Sequence, residues 1–180
     1  VKLLANRLYA EDFVMLDLEC RLYRFSLGYA GILIADLTED QLTAQPPGLT
    51  LNHAAWILGH LCLGADYALK LLGYETLCPA QWLQKFGPGS ALSNQKDDYP
   101  SKQALWQALE AGVIRVCEVA PLVDPERLAR PHGVPVDFLR AYLQTSGEMA
   151  AHMMTTHQAT HLGQLSAWRR ALRLPGVLPI

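Results

Sequence analysis

His157 and His161 stand four residues apart in the last third of the chain, which also carries His53, His60, His132 and His152. On an α-helix this spacing puts two side chains on one face, with Cβ atoms about 6 Å apart. Two imidazoles placed in that way converge on one metal ion at bonds of about 2.0–2.1 Å. The run Met149, Met153, His157, His161, Leu165, Trp168 and Leu172 advances by three or four residues at each step. Both histidines therefore share the stripe of core-facing residues. His152 precedes His157 by five residues, about 140° around a helix that turns about 100° per residue. It belongs on another face, toward solvent or an interface.

A second stripe holds His53, Trp56, His60, Gly64, Tyr67 and Leu71, with His60 in the helix interior and His53 near its start. Helical bundles build metal sites from side chains on facing helices, so His60 opposite His157 and His161 completes a three-histidine set. Three neutral ligands leave one position for water or substrate, the arrangement of catalytic rather than structural zinc. A single histidine on an apolar face is ordinarily a satisfied core residue. Grouping changes the reading, because buried neutral rings need partners and one ion satisfies three of them.

Several chemistries are excluded. In His157-Gln158-Ala159-Thr160-His161 a glutamine occupies the place of the H-E-x-x-H glutamate, so zincin-type proteolysis lacks its base. Gly87-Pro88-Gly89 lacks the lysine and the strand-loop-helix context of a phosphate loop, and there is no G-x-S-x-G elbow. Candidates for proton transfer are His53, Glu148 and Glu19, although the ordinary reading of each carboxylate is a solvated helix face.

Four long helical stretches must position these residues. The helical period predicts a first helix from about Leu3 to Asp36, with Gly28 and Gly31 weakening its end. Thr50 is a plausible N-cap for a second, which runs to Leu72 and stops at Gly73. Tyr74 to Pro100 reads as a long irregular segment of the kind that covers functional sites. Ser101 caps a third helix from Lys102 to about Val123, and a last one spans about Thr145 to Leu172 after a possible turn at Asp137 to Leu143. No strand-like alternation of convincing length occurs. The expected architecture is an all-α four-helix bundle in one domain, residues 1–180.

Composition agrees. Apolar residues make up 51% and charged residues 18% of the 180, below the usual charged share of about 25%, which suits a packed domain with some surface covered by a partner. With a net charge of -2 and a pI near 6.3, nothing attracts a phosphate backbone, which argues against nucleic acid. No uninterrupted apolar run approaches the roughly 18 residues of a membrane span. Cys20, Cys62, Cys78 and Cys117 form no C-x-x-C pair and read as reduced thiols of a cytoplasmic protein, with Cys62 and Cys117 as buried hydrophobes.

Leu51-Asn52-His53-Ala54-Ala55-Trp56-Ile57-Leu58-Gly59-His60-Leu61 resembles the W-x-x-G-H-L second-helix motif of the DinB-like superfamily. His157 to Leu165, followed by Arg169-Arg170 and Leu174-Pro175, is similar to its final H-x-x-x-H-x-G-Q-L … R-R … L-P signature, and Leu37 to Leu42 to its first connection. The resemblance implies an up-down-down-up bundle with a long crossover, often a homodimer. It also implies a nickel or zinc ion held at the positions of His60, His157 and His161. Characterised relatives include enzymes that use a low-molecular-weight thiol for isomerisation or S-transfer. Gln158 departs from the pattern where many members are acidic, and Arg173 replaces the usual glycine before Leu-Pro.

These observations lead to a divalent-metal enzyme acting on a small molecule with a low-molecular-weight thiol. The alternatives are a non-catalytic metal-binding or stress-response bundle, and a purely structural bundle whose histidines belong to the core.

Overall fold

The computed structural model describes residues 16–177. The long helices are α1 (Asp17–Ile34), α2 (Ala54–Leu72) and α4 (Lys102–Val119), and a last one that begins as α7 (Ser146–His152) and continues as α8 (Gln158–Ala171). Short helices α3 (Trp82–Phe86), α5 (Pro125–Leu128) and α6 (Asp137–Tyr142) lie in the connections. Among the described residues the sole β pairing is an isolated bridge between Pro131 and Thr145. The expected start of the first helix at Leu3 lies outside the described residues.

Cross-helix contacts give the directions. Arg169, near the end of α8, bonds Leu33 and Asp36 at the end of α1, so those helices run parallel. Cys117, late in α4, donates to the carbonyl of Cys20, early in α1, so that pair is antiparallel. Asn52 bonds Gln164 and His60 meets His157, which sets α2 antiparallel to the last helix. Cys62 lies against Leu105, and Ala65 against Gly112, which makes α2 and α4 parallel. The topology is up-down-down-up, with residues 73–101 as the long crossover, as the resemblance implied.

Local sequence explains the helix ends. Ser101 accepts from the N–H of Ala104, and Thr145 and Glu148 form a reciprocal capping box. Gly73, at φ 94°, closes α2 in the left-handed conformation. The cap of α2 is His53 rather than the expected Thr50, because the imidazole Nδ1 accepts the N–H of Trp56 at 3.3 Å. α2 is the central element. Ala54–Leu72 has the length and apolarity to cross a membrane, contrary to the sequence expectation, although His60, Asp66 and Lys70 interrupt it, and 83% of its apolar window is buried within the bundle. Its residues pack with Tyr23 and Leu33 of α1, Leu105 and Leu109 of α4, and Leu165 and Trp168 of α8 in one core. Cys62 and Cys117 are buried there as expected.

Candidate metal centre

α2 carries His60 into the bundle, and the crossover holds it there. The Nδ1 of His60 lies 2.7 Å from the carbonyl of Phe86. A carbonyl only accepts, so Nδ1 bears the proton and Nε2 keeps a bare lone pair. Trp56, one turn earlier, stacks on the His60 ring at 4.7 Å with planes 10° apart, and its indole N–H donates to Ser90 Oγ at 2.8 Å. Phe86 is fully buried, and its ring occupies the space a side chain at position 59 would need, so Gly59 is required. The crossover is therefore the scaffold that sets the His60 tautomer and orientation.

The last helix supplies the other two rings through a feature the sequence reading missed. Residues Met153–His157 form a π-helical turn, which takes up one extra residue. In α7 the buried positions are Ser146, Met149 and Ala150, followed by Met153 and Met154 in the π-turn. A strict α period would continue them near His157, Thr160, Gln164 and Ala167, yet the last three are exposed and His157 is only half-buried. Instead Gln158, Leu162, Leu165, Trp168 and Arg169 are buried, one residue further on. The turn resets the buried face and leaves His157 and His161 half-buried at its edge, facing His60. It also corrects the placement of His152, whose ring lies 5.9 Å from that of His157, edge to face. The expected 140° separation assumed an unbroken α-helix.

The structure brings His60, His157 and His161 together. Their ring centroids are 4.4–5.1 Å apart, and one nitrogen from each lies within 4.8 Å of the others. The Nε2 atoms of His60 and His157 are 3.2 Å apart, close to the roughly 3.3 Å between two ligands of a tetrahedral zinc with bonds near 2.0–2.1 Å. His161 directs Nδ1 to Gln164 Oε1 at 3.0 Å, which frees its Nε2 as the Phe86 carbonyl frees that of His60. Gln164, three residues after His161 in the helix, was legible as a partner from that spacing. His157 packs against Gly64, and its buried Nδ1 has no partner among the described residues.

Electrostatics favour the neutral rings a metal requires. Burial, then the neighbouring His161, His60 and His152 rings, pushes His157 down to about 3. Burial, then His60, brings His161 to about 4. Burial also lowers His60. Uncharged rings keep lone pairs for a cation, and a cation among them would oppose their protonation further. The residues fit a divalent ion.

The proton-transfer candidates do not adjoin the centre as free groups. His53 is fully buried, and with Nδ1 engaged as the α2 cap its Nε2–H donates to the carbonyl of Ser93 at 3.0 Å. Glu148 Oε2 accepts from the N–H groups of Gln144 and Thr145 at 2.7 and 2.9 Å, as the capping box demands. Glu19 is half-exposed on α1. Gln158 is buried, and its Nε2 has no partner among the described residues.

No curated protein and no solved structure matches the chain. The family model of the DinB superfamily matches residues 30–165, a span that takes in His60, His157, His161 and the crossover between them. The helical architecture and this match together establish that the chain belongs to the DinB superfamily.

Proposed function

We propose that this protein binds one divalent ion, nickel or zinc, through the Nε2 atoms of His60, His157 and His161, and uses it as a thiol-dependent S-transferase or isomerase. The observation that carries the reading is the trio of neutral rings, two of them with Nδ1 already committed to a protein oxygen. Such an ion would be held by these three rings and would supply Lewis acidity, which lowers the pKa of a bound thiol or water. His60 is fixed by Phe86 and Trp56, so the three nitrogens are pre-organised and little reordering opposes ligation. The half-buried faces of His157 and His161 leave the approach for a small molecule. The test is a titration of cobalt-substituted protein with small thiols, followed by thiol consumption with an electrophile. A thiol that shifts the cobalt spectrum and is consumed at a rate lost in His161→Ala supports the enzyme. Absence of any spectral shift contradicts it.

One observation favours a second reading, a non-catalytic metal-binding bundle. His53 and Glu148 are engaged elsewhere, and Gln158 replaces the acidic residue beside His157. A metal-loaded protein that no thiol perturbs selects this reading. We also propose a cytoplasmic location, since all four cysteines are free, and a homodimer. Leu18, Leu22, Phe25 and Ile32 expose an apolar stripe along α1, one helix face by their spacing. Sedimentation as a monomer at micromolar concentration would contradict the dimer.

A further inference from the structure

We propose that the cleft beside the C-terminal end of α2 is a separate ligand site, built for the carboxylate or phosphate group of a small anion. The cleft has a volume of about 470 Å³, and its lining includes Tyr67, Lys70, Arg127, Arg130, His132 and Ser146. Three of these carry full positive charges, and no carboxylate lines the cleft, in a chain whose net charge is -2. Among the described residues none of the three cations forms an ion pair; the pairs involve Arg21, Lys96, Arg115, Arg140 and Arg169.

The fold holds this arrangement in place. Arg127 donates from Nε to the carbonyl of Leu71 and from Nη2 to that of Lys70, each at 3.2 Å, which satisfies the end of α2. Gly73 gives it room, since a Cβ there would lie 2.4 Å from the guanidinium carbon. These bonds use two of its five N–H groups. Among the described residues the side chains of Lys70 and Arg130 make no hydrogen bond that would explain them as parts of the scaffold. His132 is a fixed wall, with Nε2–H donating to Leu143 and Nδ1 accepting from Val134. Ser146 N–H donates to the carbonyl of Arg130 at 2.7 Å, which ties the start of α7 to the cleft. Unneutralised guanidinium and ammonium groups on rigid backbone, beside the hydroxyls of Tyr67 and Ser146, suit an oxyanion.

The site is distinct from the histidine cluster. Lys70 follows His60 by ten residues along α2, about 15 Å of helix. The inference does not rest on the metal.

Calorimetric titration of the full chain at low salt, with inorganic phosphate and citrate as probes, tests it. We expect saturable binding of at least one probe, weakened at least tenfold in both Lys70→Gln and Arg130→Gln, with metal content unchanged. Phosphate binding identifies a phosphoryl group, and binding of citrate alone identifies a carboxylate. Arg127→Lys, which retains the charge but loses the fork, should weaken binding while the others isolate the charge. No saturable binding of either probe up to about 10 mM, the millimolar limit of a weak site, overturns the proposal. So does binding that survives both glutamine substitutions.

Discussion

Adding one methyl group to Gly64 tests whether α2 sets the position of His157. A Cβ there would lie 3.2 Å from Cε1 and 3.3 Å from Nδ1 of the His157 ring, where carbon contacts ordinarily settle at about 3.5–4.0 Å. The ring must then give by a few tenths of an ångström. Metal–ligand distances tolerate about 0.2 Å, so the displacement exceeds what a coordinated ring accepts, whereas an uncoordinated ring can rotate. Overpacking costs about 1–3 kcal/mol. If roughly 1.4 kcal/mol of it falls on the metal-loaded state, affinity drops about tenfold. Competition against a chelating dye measures that affinity, and denaturant unfolding of the metal-free protein measures the fold. Gly64→Ala should weaken metal binding about tenfold while apo stability changes by no more than about 1 kcal/mol, since alanine's better helix propensity offsets part of the strain. Gly163→Ala is the control, because a Cβ there meets nothing within 4 Å; it should leave affinity alone and add about 0.5–1 kcal/mol of stability. Unchanged affinity in Gly64→Ala would refute the reasoning.

Three further outcomes follow from residues around the centre. His53→Ala removes a helix cap and the bond to Ser93, so it should cost about 2–3 kcal/mol in denaturant unfolding yet retain one metal equivalent; loss of the ion would place His53 in the coordination sphere. Arg173 occupies φ 58°, a conformation costing an L-residue about 1–2 kcal/mol, so Arg173→Gly should raise stability by about 0.5–1 kcal/mol, or a few degrees in Tm. A lower Tm would contradict that account. The Arg169 hydrogen bonds hold the Asp36 carboxyl below its usual range, so its stabilising contribution is fully present above about pH 4, the unfolded value, and is lost as pH falls through the folded value. The stability gap between wild type and Asp36→Asn should therefore be larger at pH 7 than at pH 3, and a gap that grows on acidification would reverse the sign.

The bundle was legible because its signals are local. Capping residues at Ser101 and Thr145, the stop at Gly73, and apolar spacing over α2 and α4 each specify a helix without reference to the rest of the chain. The three site histidines were legible because they sit on buried or half-buried faces at helical spacing. The π-turn was not recognised, although its trace was present. From Met149 to Leu165 the stripe takes four consecutive steps of four, each about 40° beyond a full turn. An unbroken α-helix would have carried it about 160° off the core. One inserted residue takes up about 100° of that drift and brings His152 beside His157. The hold on His60 was hidden for another reason. It comes from the backbone carbonyl of Phe86, and residue type carries no information about which carbonyl a folded crossover presents. His53 belongs to the same class, since its partners Ser93 and Tyr99 are distant in sequence. The glycine that Arg173 replaces is explained by the left-handed backbone after α8, which sequence alone marked only as a departure.

The central claim is that His60, His157 and His161 together hold one ion. Metal analysis of the purified protein, reconstituted with nickel or zinc, tests it most directly beside His60→Ala, His157→Ala, His161→Ala and His152→Ala. The account predicts one equivalent per chain in the wild type and in His152→Ala, and loss of the ion in each of the other three. Full occupancy in all three would contradict it.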